Sequence, residues 1–119
     1  MAAAITALIS CAQACVSCTD ACLGEDEASH FRTCIRRNQD CADLCRVTAD
    51  ALLRQTEPND QLIQQLLMTC RIACNACATE CTQHDHHAHC RICAETCREA
   101  ERPLTDLLDA KSRPEKQEN

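Results

Sequence analysis

Cys11, Cys15, Cys18 and Cys22 stand four, three and four residues apart, and the same spacing returns at Cys70, Cys74, Cys77 and Cys81. Cys34, Cys41 and Cys45 follow the first group, and Cys90, Cys93 and Cys97 follow the second. At about 100° per residue the first four sulfurs fall within roughly 60° of arc on a helix, so each group makes one stripe of thiols. Neighbours at i,i+4 have Cβ atoms about 5–6 Å apart. A linear sulfur–metal–sulfur unit spans about 4.5 Å if its bonds resemble zinc–thiolate bonds. The pairs Cys11/Cys15, Cys18/Cys22, Cys41/Cys45, Cys70/Cys74, Cys77/Cys81 and Cys93/Cys97 could each clamp one ion of low coordination number. Thiols facing each other across an interior could add three-coordinate or bridged sites. Soft thiolates favour Cu(I), which accepts two or three ligands, whereas Zn²⁺ takes four in a tetrahedron. The spacing therefore points to binding of several Cu(I) ions, with zinc or another soft metal as the alternative.

Other thiol chemistries fit less well. One lone cysteine would read as a buried, inert thiol, but fourteen in register occupy positions where ordinary helices carry leucine. Disulfides require a dihedral that side-by-side helical i,i+4 thiols distort. The spacings of iron–sulfur ferredoxins are absent. A thiol oxidoreductase or peroxide scavenger needs one low-pKa thiol, commonly in Cys-x-x-Cys at a helix N-terminus. Cys15/Cys18, Cys74/Cys77 and Cys90/Cys93 have that spacing, yet the first two sit in mid-helix. Repetition along a stripe serves capacity rather than one reactive centre, and no enzyme activity is expected.

The elements that position these thiols follow from the same periodicity. His30, Cys34 and Cys41 recur 56 residues on as His86, Cys90 and Cys97, while the first cysteine group recurs after 59, so each half is one helical hairpin. Gly24, the only glycine, marks the end of the first helix, and Pro58 with Asn59 and Asp60 marks a stop and an N-cap. Asp85 is the expected N-cap of the last helix, and Pro103 inside it predicts a kink or restart. Helices are expected over 3–23, 27–56, 60–83 and 86–109. Short connections make consecutive helices antiparallel, giving an all-α, up-down-up-down four-helix bundle with a cysteine-lined core. It occupies residues 1–110 as two hairpins, 3–56 and 60–109, before a flexible polar tail at 111–119. The turns place Cys22 near Cys34, Cys15 near Cys41 and Cys11 near Cys45, with Cys81 near Cys90 and Cys74 near Cys97.

The two ends of the bundle differ. Ala4, Leu8, Thr48, Leu52, Ile63, Leu66, Leu67, Leu104 and Leu108 extend the stripes into an apolar plug at one end. All five histidines, His30, His84, His86, His87 and His89, gather at the other. By helical angle His30 and His86 lie on the thiol face and are candidate metal ligands at the mouth, His being a common ligand. Asn38 interrupts the second stripe, and Glu101 is expected to face inward where its repeat partner is Cys45.

Composition agrees with a core of this kind. The 45% hydrophobic content consists largely of alanine and cysteine, leaving 22 large apolar side chains, too few for an ordinary oily interior. No basic n-region or sufficient apolar core precedes Cys11, which predicts a cytoplasmic protein with reduced thiols. No apolar stretch is expected to reach the roughly 18 residues of a membrane span. A net charge of -6 argues against nucleic acid. Ile5, Ile9, Ala12, Val16, Thr19 and Leu23 form a second seam on the first helix, which suggests contact with another subunit.

These residues resemble the bacterial copper storage proteins, cysteine-rich four-helix bundles. The resemblance rests on Cys-x3-Cys-x2-Cys-x3-Cys at Cys11–Cys22 and Cys70–Cys81, with the cysteines of the second and fourth helices and the histidine-bearing end, and it extends to Leu108. It implies Cu(I) storage by thiolates in the core, a histidine-lined mouth, a tetramer and, without a signal sequence, the cytosolic branch. The cysteines are fewer than in well-populated cytosolic members, with Asn38 and Glu101 at stripe positions.

Overall fold

The computed structural model describes residues 1–112 and comprises four helices: α1 Ala2–Leu23, α2 Arg32–Leu53, α3 Asp60–Thr82 and α4 Ala88–Ser112. Helix α1 packs on α2 and α4, and α3 packs on the same two, so the helices form a square in which the diagonal pairs do not approach closely. The inward positions repeat at intervals of four and three. They are Ala4, Leu8, Cys11, Cys15, Cys18 and Cys22 on α1; Cys34, Asn38, Cys41, Cys45, Thr48 and Leu52 on α2; and Ile63, Leu67, Cys70, Cys74, Cys77 and Cys81 on α3. This is the period at which helices of a bundle interlock their side chains. On α4 the inner row is Cys90, Cys93, Cys97, Ala100, Leu104 and Leu108.

Leu8, Leu52, Leu67 and Leu104 close one end, each at most 2% exposed. Burying each contributes about 1.5–3 kcal/mol. Helix α1 passes the length and hydropathy test for a membrane span, with mean hydropathy 1.6, contrary to the expectation that no stretch would. Alanine and cysteine supply much of that apolarity, and the face carrying Leu8 and the four cysteines is buried inside the bundle.

Helix ends show where local chemistry outweighs periodicity. Asn59 caps α3, its Oδ1 accepting from the Leu62 N–H at 3.0 Å, and Asp60 adds a negative charge in the first turn. Asn59→Ala is expected to lower stability by about 1 kcal/mol, read as a shift in denaturant midpoint at unchanged slope. Gly24 ends α1 in the ordinary right-handed conformation, φ -86°. Helix α2 does not begin at 27. A 3-10 turn, Ala28–Phe31, precedes it and turns Phe31 into the core. Its C-terminus comes at Leu53, where the Gln55 side chain donates to the Leu52 carbonyl at 3.1 Å.

Asp85 does not cap α4, which starts three residues later at Ala88, and the Asp85 carbonyl instead accepts from Arg91 at 2.9 Å. No restart occurs at Pro103, because α4 continues through it to Ser112. A proline inside a helix costs about 3 kcal/mol, and the buried Leu104 and Leu108 just beyond it offset that cost. Lys111 and Ser112, expected in the tail, belong to α4, and residues 113–119 lie outside the described residues.

Candidate metal centre

All fourteen thiols are reduced and buried, none more than 1% exposed. They form a continuous column from the leucine plug to the histidine end. At its floor Cys70 donates to Cys45 at 3.8 Å, and Cys45 lies 3.7 Å from Cys74. Cys41 is the centre of the next level, with Cys11 and Cys74 at 3.7 Å, Cys45 at 3.9 Å and Cys97 at 4.0 Å. Cys15 carries the column onward, 3.9 Å from Cys77 and Cys97 and 3.8 Å from Cys93. Cys34 and Cys81 approach to 3.5 Å, and Cys18 lies 3.9 Å from Cys22 and 4.0 Å from Cys90.

Several sets of sulfurs lie mutually within 4.8 Å, among them Cys11/Cys15/Cys41/Cys97, Cys11/Cys41/Cys45/Cys74, Cys15/Cys77/Cys93/Cys97, Cys18/Cys22/Cys34/Cys90 and Cys18/Cys81/Cys93. The sets overlap at Cys11, Cys15, Cys18, Cys41, Cys93 and Cys97, so these thiols could each bridge two ions. Three thiolates around one ion, with bonds near 2.3 Å, stand about 4.0 Å apart, close to the separations along this column.

The expected level matching is only part of the contact pattern. Cys22 joins Cys34, Cys15 joins Cys41 and Cys11 joins Cys45, each within one set. The shortest contacts, however, cross the other two faces of the square: Cys11 to Cys97 at 3.6 Å between α1 and α4, and Cys34 to Cys81 between α2 and α3. Level matching drawn from the two hairpins covers α1–α2 and α3–α4 alone, whereas a square bundle also packs α2 on α3 and α1 on α4.

Asn38 fills a stripe position and is fully buried. Its Oδ1 accepts from Cys77 and Cys93, both at 3.0 Å, and from Cys81 at 3.8 Å, while Nδ2 donates to Cys34 at 3.7 Å. The amide thus replaces a thiol with a group that holds four thiols around it. Glu101 does not face inward. The inner row passes through Ala100, and Glu101 pairs with Arg98 at 3.0 Å on the α3–α4 surface, where Arg98 also donates to Asn75 at 2.7 Å.

The mouth differs from the sequence expectation. His30 is 69% exposed and pairs with Glu27 at 2.6 Å, and His86 is exposed with its ring 4.2 Å from that of His87. Neither is brought onto the thiol column, because both precede the first turn of their helices and helical angles do not extend to them. His89 occupies the position instead. Its Nδ1 lies 3.5 Å from Cys90, 3.6 Å from Cys18 and 3.9 Å from Cys22, and its Nε2 faces Glu25 Oε2 at 2.9 Å. The carboxylate sets the tautomer: Nε2–H donates to Glu25, and the Nδ1 lone pair points at the thiols. Glu25 also lies 3.3 Å from His87 Nδ1, and the bond from His89 holds its carboxyl below the usual range. The buried Phe31 ring packs against His84, His87 and His89 at 4.8–6.1 Å and fixes this wall. The sequence did carry a signal for His89, since it stands four and eight residues before Cys93 and Cys97 and so shares their face.

Burial pushes the Cys22 thiol up to about 11, with the nearby Cys34 adding to the shift, and burial also raises Cys90. Cys41 is shifted the other way by donors, first Cys11 and then Cys15 and Cys45. The column therefore shares protons among its sulfurs, and metal uptake must displace them.

The profile of the family described as copper storage protein matches residues 1–108. A cysteine-rich protein of Bacillus subtilis strain 168, YhjQ, described as uncharacterized, is 37% identical over 100 residues, covering 82% of this chain and 88% of the relative. A cytosolic copper storage protein from Streptomyces lividans, solved with five coppers, superposes with TM-score 0.90 at 43% identity over 92% of each chain. The Streptomyces lividans protein loaded with 10 copper equivalents gives TM-score 0.87 and 42% identity over 89% of this chain and 81% of that one.

Proposed function

Because the chain belongs to the copper storage protein family, we propose that it stores several Cu(I) ions in the cytosol, as thiolate clusters along the bundle core, loaded through the mouth at His89. The observation that carries this is the unbroken column of buried sulfurs, closed by leucines at one end and faced by His89 at the other. All fourteen cysteines act as ligands in this reading, and His89 takes the role the sequence suggested for His30 and His86. Overlapping sets favour Cu(I) over Zn²⁺. Isolated tetrahedral zinc consumes four thiols per ion, so fourteen thiols hold only about three zinc ions, whereas bridging Cu(I) uses the same sulfurs more than once. Nothing in the column singles out one reactive thiol, so the reading is storage rather than catalysis. The exposed strip Ile9, Val16 and Leu23 on α1 supports self-association, with the tetramer as the form the family resemblance suggests.

Anaerobic titration of the reduced chain with Cu(I), and separately with Zn²⁺, tests the proposal. Cu(I) is expected to bind well beyond three ions per chain, to displace Zn²⁺ and to raise the melting temperature as it loads. A ligand present at 100 times its dissociation constant stabilises the fold by about 2.7 kcal/mol per site. Saturation at about three Zn²⁺, with Cu(I) lost to a competing chelator, would reverse the assignment.

A further inference from the structure

The floor of the column holds a polar group that the metal-free fold leaves unused. Thr48 lies three residues beyond Cys45 on α2, is 1% exposed, and its Oγ1 has no hydrogen-bond partner. Valine would fill the same space without an unsatisfied hydroxyl. Cys45 and Cys70 are the sulfurs at this level, 3.8 Å apart, and the leucine plug lies beyond them. Thr48 continues the inward row of α2 from Cys45, at the level where Cys45 and Cys70 meet, and the sulfur contact of Cys70 is with Cys45, whereas Cys45 also meets Cys41 and Cys74. When metal binds, the S–H donors of Cys45 and Cys70 become anions that need donors of their own. Asn38 offers Nδ2 at mid-column. At the floor, among the described residues, Thr48 is the buried hydroxyl without a partner in this column.

We propose that Thr48 is the positioning residue of the deepest copper site, its hydroxyl donating to the Cys70 thiolate once a metal ion bridges Cys45 and Cys70. This rests on the storage reading above. Thr48 binds no metal itself. It orients and stabilises the thiolate that receives the innermost ion.

The test compares the full chain with Thr48→Val and Thr48→Ser. Two quantities are read: the melting temperature of the reduced, metal-free protein, and the rate at which the last Cu(I) leaves the loaded protein for a competing chelator. Thr48→Val is expected to raise the metal-free melting temperature, because the unpaired hydroxyl is gone, and to speed release of the last ion about 10- to 100-fold. Thr48→Ser, which keeps the hydroxyl, is expected to restore slow release. A purely structural role would instead lower the metal-free melting temperature while loosening the bound ion. Unchanged release from Thr48→Val, faster release that Thr48→Ser fails to rescue, or a lower metal-free melting temperature overturns the proposal. In the first of these cases normal Cu(I) capacity leaves the storage reading standing, whereas a wild-type chain that retains no Cu(I) overturns both.

Discussion

A Cys41→Ala variant is expected to lose about two Cu(I) ions per chain where Cys22→Ala loses about one, because each ion takes two or three thiolates and Cys41 serves more of them. Four sulfurs surround Cys41 within 4.0 Å, and it belongs to both sets that contain Cys11. Cys22 belongs to one of the sets named above, with Cys18, Cys34 and Cys90, and it lies 3.9 Å from Cys18 and from the His89 ring nitrogen. Removing a bridging thiolate also raises the charge left uncompensated on the remaining ions, so retention of neighbouring ions should weaken as well. The folded state should tolerate the change, since losing one buried sulfur costs about 1 kcal/mol, less than a leucine truncation. Capacity is read by anaerobic titration to saturation and by metal analysis after gel filtration, with circular dichroism confirming the metal-free helices. Equal losses from Cys41→Ala and Cys22→Ala would show that the sulfurs act as independent two-coordinate clamps rather than as bridged clusters.

Much of this arrangement is legible in the sequence because one periodicity encodes helix, face and ligand at once. The four-three spacing that places Cys11, Cys15, Cys18 and Cys22 on one stripe is also the spacing of an interlocked bundle core, and it continues through Leu8 and Ala4 into the plug. Asn59 states its capping role through local chemistry alone.

Legibility fails where the chain leaves the helical lattice. His30 sits in a 3-10 turn and His86 in the α3–α4 connection, so angles drawn from the helices misplace both. Analogy between the halves points Glu101 inward, but α4 turns Ala100 to the core, and the repeat does not extend that far. The role of Asn38 depends on Cys77 and Cys93, 39 and 55 residues away in the chain, and of Glu25 on His89, 64 residues away. Such pairings follow from which faces meet across the square, a property of the assembled bundle. The reach of α4 through Pro103 likewise depends on burial of Leu104 and Leu108.

His89→Ala is expected to slow Cu(I) uptake about 10- to 100-fold while leaving final capacity nearly unchanged, since the storage ligands are the thiols. An incoming ion meets His89 Nδ1 before, or together with, the sulfurs of Cys18, Cys22 and Cys90. Burial keeps Cys22 and Cys90 protonated at neutral pH, so an ion arriving there needs a ligand that carries no proton on the approached atom. Glu25 makes His89 that ligand by holding the proton on Nε2. Glu25→Gln keeps a hydrogen-bond acceptor but removes the charge, and its uptake rate should fall between those of the wild type and His89→Ala. The carboxyl of Glu25 is depressed in the folded state, so its contribution is complete above the ordinary glutamate pKa of about 4.3 and is lost as pH falls through the lower folded value. Metal binding releases protons from the thiols, so uptake should quicken as the pH rises. His86→Ala is the control, because His86 is exposed and its recorded contact is with the ring of His87. Stopped-flow mixing with a Cu(I)–chelator complex resolves the three rates. A slowing by His86→Ala as large as that by His89→Ala would move the point of uptake from the thiol face to the outer turn.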